Sequence, residues 1–183
     1  MSTLFLNHFY HRIQGWPNEL PRIYSQGVAA ANEGAHFVEI GCWKGASAAA
    51  MCVEIINSGK QIKFDCVDTW GGSADNSTPL VTDDSVYNEF LKNLESVTGY
   101  FNPIRMLSIE AATLYEDNSL DLVSIDASHD YENVKADILA WLPKVKSGGL
   151  LVGDDFPYPG VAQAVRELCP GYGSNIGWWW NKP

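Results

Sequence analysis

The sequence predicts an α/β domain built on a doubly wound, mostly parallel sheet. Short apolar runs alternate along the chain with stretches of helical periodicity, which is the order of elements that such a sheet requires. Residues 122–156 show this pattern best, because the runs LVSI and GLLVG flank an amphipathic stretch and form a βαβ unit with buried strands. A chain of 183 residues is long enough for one domain with a substantial core.

Each element has its own local signature. Strands are expected where short apolar or β-branched runs lie between turn residues, and helices where small or amphipathic residues continue for longer. The expected strands cover 36–41, 62–68, 103–107, 122–125 and 149–153, and the expected helices cover 46–59, 86–99 and 160–169, with one more between the last two strands. The polar segment 69–85 is too long for an ordinary connection, which is typical of a binding loop.

The N-terminal part differs in composition from the rest of the chain. Residues 1–34 are rich in aromatic side chains and have a helical pattern, interrupted at Pro17 and Pro21. We expect this part to form a helical lid that precedes a single domain at 35–183.

Composition argues against several classes of partner. The chain has 12 basic and 22 acidic residues, a net charge of −10, and no basic cluster. Nucleic acids and anionic membrane surfaces are therefore not expected partners. No run approaches the roughly 18 apolar residues of a membrane span, and the first residues lack the pattern of a secretion signal. The expected location is the cytoplasm.

The cysteines support the same location. Cys42, Cys52, Cys66 and Cys169 have no metal-binding spacing. We expect all of them to be reduced and packed as small apolar side chains, as in cytosolic proteins.

Three acids and a histidine follow the two strands of the βαβ unit. Asp126 follows the first run, and Asp154 and Asp155 follow the second. Because parallel strands end at the same edge of a sheet, these carboxylates should lie together where open α/β folds bind ligands. Grouped carboxylates require a cation, and oxygen ligands favour Mg²⁺, Mn²⁺ or Ca²⁺. His129 is close enough in sequence to take part, which indicates metal-assisted proton removal.

A second cluster follows the first strand, in the sequence EIGCWKG. Gly41 and Gly45 at a strand-to-helix turn would let a ligand approach the backbone closely. Trp43 occupies the position at which a dinucleotide site needs glycine, and Glu39 would repel a diphosphate. Asp68, at the end of the second strand, fits the carboxylate that binds ribose hydroxyls. A ribose joined to a positively charged amino-acid part describes S-adenosylmethionine.

Together these segments resemble a known family. VEIGCWKGAS, FDCVDTW, SIDASHDYENVKADILAWLPKVKSGGLLVGDD and WWWNKP are similar to motifs of the class I S-adenosylmethionine-dependent methyltransferases. More narrowly, they resemble the metal-dependent O-methyltransferases of the macrocin, mycinamicin and rhamnosyl sugar type. The resemblance covers roughly residues 34–183. It implies a Rossmann-like methyltransferase sheet of about seven strands with a shortened C-terminal hairpin.

The resemblance also implies roles for individual residues. The cofactor-binding residues would be Glu39, Gly41, Cys42, Trp43, Gly45, Ser47, Asp68, Thr69, Trp70, Ser108 and Asp126. The metal ligands would be Asp126, Asp154 and Asp155, with His129 as the general base beside Asp126. The cofactors would be S-adenosylmethionine and Mg²⁺ or another divalent cation. The acceptor would be a hydroxyl of a sugar, polyol or phenol, recognised by the lid and the loop at 69–85, and a homo-oligomer would let a second subunit complete that pocket.

The chain departs from the family pattern in two places. The family commonly has I-D-G-D-H where this chain has Ile125-Asp126-Ala127-Ser128-His129, which keeps the metal ligand and the base. The segment between Cys169 and Trp178 is short, so we expect the sixth strand to be vestigial.

Simpler interpretations of the same residues stay open. Gly41 and Gly45 also fit a tight turn, and Asp68 and Asp126 also fit helix caps. The acid pair at 154–155 also fits an ordinary turn.

Alternatives also stay open for the aromatic tail and for the function. Within a strand, Trp178–Trp180 would alternate faces and place one or two rings in the core, or line a substrate. The fold could instead serve another metal-assisted reaction such as hydroxylation, or bind a cofactor without catalysis. The presence of His129 with the three acids favours the methyltransferase.

Overall fold

A computed structural model of the chain describes residues 5–72 and 80–183. Residues 1–4 and 73–79 lie outside the described part, and with them the middle of the loop that we expect to recognise the acceptor. Seven strands form one sheet in the described part: β1 His36–Ile40, β2 Lys63–Asp68, β3 Asn102–Arg105, β4 Leu120–Ile125, β5 Val145–Gly153, β6 Gly173–Ser174 and β7 Trp178–Asn181. The α-helices are α1 Leu20–Ala30, α2 Ala46–Ser58, α3 Ser85–Asn93, α4 Ser108–Ala112, α5 Tyr131–Trp141 and α6 Pro159–Leu168.

The strand order, β3-β2-β1-β4-β5-β7-β6, confirms the doubly wound sheet. Strands β1 to β5 are parallel, and β7 pairs antiparallel with both β5 and β6. The chain winds outward from β1 in one direction and returns to β4 to wind in the other, so the switch point lies between β1 and β4. Ile40 pairs with Val67 on one side and with Ile125 on the other, and Ile125 pairs with Gly153. The residues after these positions therefore meet at one edge.

Two apolar layers cover the sheet. Helices α1, α2 and α3 contribute to the layer on one face, and α4, α5 and α6 to the layer on the other. In β7, Trp178 and Trp180 are buried in the second layer while Trp179 faces the other side and is half-buried. The alternation expected for the tryptophan run is thus confirmed, with two rings in the core.

Some element boundaries differ from those expected. Helix α3 ends at Asn93, and a 3₁₀ turn at Glu95–Val97 follows it before Gly99, whose φ of +94° no longer fits a helix. Pro21 does not interrupt α1, because it lies in the first turn, where a missing N–H is tolerated. The short helix α4 was not expected at all. Strand β6 has only two residues, as the short segment before Trp178 indicated.

Helix α1 belongs to the domain core. Leu20, Ile23, Tyr24 and Val28 are all buried against the first apolar layer. The four cysteines are buried free thiols, as expected. In the described part of the chain, no helix has the length and apolar character needed to cross a bilayer.

Candidate active site

The strand ends bring the predicted acids and glycines to one edge of the sheet. The N–H of Gly41 donates to the Val67 carbonyl at 2.9 Å, and the N–H of Asp126 donates to the Ile40 carbonyl at 2.9 Å. Gly41 has φ +88°, and a Cβ at this position would lie 2.1 Å from the Asp126 carbonyl oxygen. Only glycine tolerates both the positive φ and the close approach of this carbonyl. The packing of the β1–α2 turn against the end of β4 therefore requires glycine at position 41.

Two cavities adjoin each other at this edge. The first, of about 450 Å³, lies at the carboxyl ends of β1, β2, β3 and β4. The second, of about 340 Å³, lies between the N-terminal segment and the acids, and both are lined by Gly41, Trp43, Asp126 and Ala127. A larger cavity of about 600 Å³ lies elsewhere, between α1 and β5, and contains none of these residues. The two adjoining cavities are the candidate site, because chemical groups converge on them and not on the largest one.

Asp68 holds two tryptophans in a conformation that bulky residues seldom adopt. Trp43 has φ +42° and Trp70 has φ +52°. Their backbone N–H groups donate to the two carboxylate oxygens of Asp68, each at 2.7 Å, and the Trp70 indole donates to the Trp43 carbonyl at 2.9 Å. Burial raises the pKa of Asp68, while these hydrogen bonds act against the rise. Asp68 caps no α-helix in the described part, and it lines the first cavity.

Glu39 lies beneath the turn and lines neither cavity. Its carboxylate accepts from the Ser47 hydroxyl at 2.5 Å and lies 3.1 Å from the Tyr24 hydroxyl. Tyr24 is also 2.8 Å from the Ser124 hydroxyl, and its one proton is donated to Glu39 while Ser124 donates to it. Burial raises the pKa of Glu39 to about 7. Glu39 is connected to the second cavity through Ser47, which lines that cavity.

The buried Glu39 carboxyl predicts a pH dependence of stability. Its pKa rises from 4.5 in the unfolded chain to about 7 in the folded chain, so the folded state binds more protons between these values. The free energy of unfolding should therefore fall as pH rises from 4.5 to 7, by up to about 3 kcal/mol. Glu39→Gln should flatten this decline when urea unfolding is measured at pH 5 and at pH 8.

In Glu39→Gln, the decline of the free energy of unfolding that remains between pH 5 and pH 8 should come from other acids. Burial, followed by the charges of Asp154 and Asp155, raises the pKa of Asp126, and burial raises that of Asp154 to about 6. An equal decline in the wild type and Glu39→Gln would contradict the assignment to Glu39.

Two of the three predicted metal ligands, Asp126 and Asp155, lie close together with His129, whereas the third, Asp154, lies outside this group. Single ligand atoms of Asp126, His129 and Asp155 all lie within 4.8 Å of one another. His129 Nε2 is 2.8 Å from Asp155 Oδ2, and Asp155 has φ +57°. Asp154 is 2% exposed and lies outside this group. Its Oδ1 accepts from the Asp155 N–H at 2.9 Å, whereas its buried Oδ2 has no hydrogen-bond partner among the described residues.

A void of about 10 Å³ separates these groups. It is lined by side chains that include Asp126, His129, Asp154 and Asp155. Its size corresponds to roughly one water molecule or one ion. A buried carboxylate oxygen without a partner costs free energy, and a cation in this void would remove that cost. The donor set thus fits a hard divalent cation.

The remaining predicted residues lie at or near the cavities. Thr69 lines the first cavity and accepts from the Gly71 N–H at 3.1 Å. Cys42 lines the second cavity with a buried thiol, and Gly45 is the N-cap of α2, with φ +88°. Ser108 lines the first cavity and accepts from the Trp141 indole at 2.9 Å. The N-cap of α5 is Asp130, which accepts from the Asn133 N–H, so Asp126 does not have that role.

Sequence reasoning missed several residues of the site. Asn18 and Tyr158 line the second cavity, and Asn133 and Asp137 line the first. For Asp137 a signal existed, because it lies at helical spacing within the buried face of α5. The other three occupy irregular or exposed positions, where no periodicity distinguishes them.

The doubly wound sheet, with Asp68 at the end of β2 and a cavity at its switch point, matches the class I methyltransferase fold that the motifs predicted. The model of a family described as a methyltransferase domain matches residues 38–156, and the chain belongs to this family. A relative, the uncharacterised protein y4gI of Sinorhizobium fredii, is 25% identical over 148 residues, which are 81% of this chain. The chain spans only 16% of the length of that relative.

Solved structures show the same fold. The O-methyltransferase NovP superimposes with a TM-score of 0.69 at 18% identity, over 90% of this chain and 78% of NovP. MycE, a methyltransferase of mycinamycin biosynthesis solved with Mg and SAH, superimposes with a TM-score of 0.59 at 15% identity, over 88% of this chain and 49% of MycE. The fold and the methyltransferase family expected from the motifs are thus confirmed.

Proposed function

We propose that this protein transfers the methyl group of S-adenosylmethionine to a hydroxyl group of a small molecule with the assistance of a divalent cation. One observation carries the proposal. The first cavity, which has Asp68 in the ribose-binding position, meets the acid and histidine cluster at Asp126. A donor in one cavity and an acceptor in the other would therefore react at the boundary that Asp126 forms.

The first cavity suits a nucleoside joined to an amino acid. Gly41 lines this cavity without a side chain, so a ligand could lie close to its backbone. Asp68 would accept hydrogen bonds from ribose hydroxyls. Met106, Leu107 and Ile109 supply an apolar surface for a flat base. Bound S-adenosylmethionine would supply an electrophilic methyl group on a sulfonium.

The acid cluster suits Mg²⁺ or a similar ion. Asp126 and Asp155 would supply oxygen ligands, and the unpartnered Oδ2 of Asp154 would face the same void. When bound, the ion would act as a Lewis acid that lowers the cost of forming an alkoxide. Because Mg²⁺ prefers oxygen to imidazole, His129 would be left to act as the base.

The residues of this chain would then perform the transfer as follows. The acceptor oxygen forms a bond to the methyl carbon as the carbon–sulfur bond breaks, and S-adenosylhomocysteine leaves as a neutral thioether. The hydroxyl proton passes to the imidazole of His129, and the Asp155 carboxylate at 2.8 Å stabilises the imidazolium. Trp16, stacked on Trp43 with ring centroids 5.2 Å apart, borders the second cavity and would limit the access of water.

The second cavity favours an uncharged acceptor with a ring. Trp16, Trp43 and Tyr158 supply apolar ring surfaces, while Asp126 and Asp155 are the acids that line it. No lysine or arginine lines this cavity in the described part, and residues 1–4 and 73–79 contain none. A phosphorylated acceptor would find no cationic side chain in this cavity, and its one counter-charge would be the proposed metal ion. Neutral sugars, polyols and phenols remain as acceptors to be screened.

Calorimetric titration of S-adenosylmethionine and S-adenosylhomocysteine into the protein tests the cofactor. We expect binding of both in the micromolar range with Mg²⁺, and binding of S-adenosylhomocysteine also with a chelator, because the first cavity does not include Asp154 or Asp155. An absence of binding in both conditions would exclude the methyltransferase mechanism.

A single substitution tests the metal. In Asp154→Asn, the Mg²⁺ affinity should fall by about 10–100-fold, because the buried oxygen no longer carries a charge toward the void. The affinity for S-adenosylhomocysteine in chelator should stay within about twofold. Glu116→Gln, an exposed acid outside both cavities, is the matched control. Equal Mg²⁺ affinity in the wild type and Asp154→Asn would remove Asp154 from the metal site.

A further inference from the structure

Tyr158 lines the second cavity and packs against His129, a contact that the mechanism above does not use. The centroid of its ring lies 4.7 Å from that of the His129 imidazole, with 34° between the ring planes. This spacing is within the range of stacked aromatic pairs. His129 Nε2 is also 2.8 Å from Asp155 Oδ2. A carboxylate and an aromatic ring thus both contact the proposed base.

The backbone of Tyr158 is fixed on both sides of the residue. Its N–H donates to the Asp155 carbonyl at 2.9 Å, which closes a tight turn, and Asp155 itself has φ +57°. Pro159 follows, and a residue before proline is restricted to extended backbone, as the φ of −70° and ψ of 128° of Tyr158 show. The turn therefore presents the Asp155 carboxylate and the Tyr158 ring to the same imidazole.

Helix α6 packs its first turn directly against the segment that carries His129. At Gly160, a Cβ would lie 2.4 Å from the His129 carbonyl oxygen and 2.7 Å from the Tyr131 nitrogen. Backbone packing therefore sets the distance between Tyr158 and His129. Tyr158 itself is 51% exposed, and a ring exposed to this extent adds little apolar burial to the core. Its position beside His129 thus points to the site and not to the stability of the domain.

A second contact on the imidazole has a physical purpose. The plane of a histidine ring turns about the Cβ–Cγ bond, a torsion with a broad energy minimum. A hydrogen bond to one ring nitrogen restrains this rotation weakly, whereas a ring packed on the face of the imidazole opposes it directly. Asp155 is in addition a predicted metal ligand, so its carboxylate would be shared between the cation and His129.

We propose that Tyr158 is a positioning residue whose aromatic ring holds the plane of the His129 imidazole toward the second cavity, and that its hydroxyl is not required. This inference rests on the proposed function, because His129 acts as a base only in that reaction. A base has to point at the hydroxyl that it deprotonates, and a loss of this alignment lowers the rate of the chemical step. Phenylalanine would supply the same ring, and an aliphatic side chain would not.

Two variants separate the ring from its hydroxyl. Tyr158→Phe should keep kcat within about twofold, and Tyr158→Leu should lower it by about 10–100-fold, as expected for a misdirected base. The measurement is single-turnover methyl transfer at saturating acceptor. The affinity for S-adenosylhomocysteine should be unchanged in both variants, because Tyr158 lines the second cavity and not the first. Tyr100→Leu, a tyrosine of similar exposure outside both cavities, is the matched control.

Carbon-13 relaxation of the imidazole tests the same contact without turnover. The His129 signals are assigned by their loss in His129→Ala, and they are recorded in the free protein and in the complex with S-adenosylhomocysteine and Mg²⁺. The order parameter of the imidazole should be high in the wild type and in Tyr158→Phe, and clearly lower in Tyr158→Leu. If Tyr158→Leu does not fold, nuclear Overhauser contacts between the two rings in the wild type decide the question.

The outcomes distinguish this inference from the proposed function. If the wild type binds no S-adenosylhomocysteine and methylates no acceptor, the proposed function is wrong, and the imidazole order in the free protein still decides whether Tyr158 holds His129. If Tyr158→Leu keeps both kcat and imidazole order, or if Tyr158→Phe loses as much as Tyr158→Leu, the positioning role of the ring is overturned. A change confined to the KM of the acceptor would likewise overturn it and make Tyr158 an acceptor contact.

Discussion

Replacing His129 by alanine should lower the rate of methyl transfer by about 10²–10⁴-fold, the usual contribution of a general base. The affinity for S-adenosylhomocysteine should stay within about twofold, because His129 lines the second cavity and not the first. The measurement is single-turnover transfer to an acceptor found by screening neutral sugars, polyols and phenols, together with calorimetric titration of S-adenosylhomocysteine. His11→Ala, an exposed histidine on the 3₁₀ turn at Tyr10–Arg12, is the matched control.

The same variant decides between a base and a metal ligand. A ligand atom of His129 lies within 4.8 Å of ligand atoms of Asp126 and Asp155, so the geometry permits either role. If His129 is the base, Mg²⁺ affinity in His129→Ala should be unchanged or higher, because Asp155 loses the partner that competes for its oxygen. A marked loss of Mg²⁺ affinity would make His129 a ligand, and a marked loss of S-adenosylhomocysteine binding would make it a structural residue.

Gly41→Ala should have the largest effect on stability, a loss of about 3–5 kcal/mol in the free energy of unfolding. About 1–2 kcal/mol of this arises from a side chain at φ +88°, and the rest from the clash of a Cβ 2.1 Å from the Asp126 carbonyl oxygen. Relief of the clash must separate β1 from β4, so S-adenosylhomocysteine binding should be lost as well. Urea unfolding and calorimetry measure the two effects.

Gly34→Ala is a close control for that substitution. Gly34 has φ +79°, but a Cβ there meets no atom within 4 Å. It should therefore lose only the conformational part, about 1 kcal/mol, and keep its ligand affinity. Equal losses in the two variants would show that the approach of Gly41 to Asp126 does not constrain the fold.

The positions of the strand-end acids could be predicted because they depend on topology alone. Parallel strands present their carboxyl ends at a common edge, so Asp68, Asp126 and the pair at 154–155 had to meet there once the strands were recognised. Gly41 was predicted as a position where a ligand approaches the backbone, and the structure shows in addition that the Asp126 carbonyl leaves no space for a side chain there. The helix-cap interpretation of Asp126 was equally compatible with the local sequence, and only the cap bond from Asn133 to Asp130 excluded it.

Side-chain partners from distant segments could not be predicted. Glu39 had the motif of a ligand-facing acid, yet Tyr24 from α1 and Ser47 from α2 hold it beneath the turn. Asp154 and Asp155 are neighbours in sequence, but one is buried with an unpartnered oxygen and the other pairs with His129. Such differences arise from backbone angles and from packing between elements, which no local pattern encodes.

The sequence by itself determined the doubly wound order of elements, the edge at which the chemistry lies and the residue types available there, because periodicity and strand direction are local properties. The tertiary structure decided which of these residues face the cavities, which of them support others, and that Asp137 joins the first cavity. Those assignments depend on side-chain orientation and on contacts between elements far apart in the chain, such as the bond between Ser108 and Trp141. Burial raises the pKa of Glu39, Asp126 and Asp154, and burial is a property of the packed domain alone.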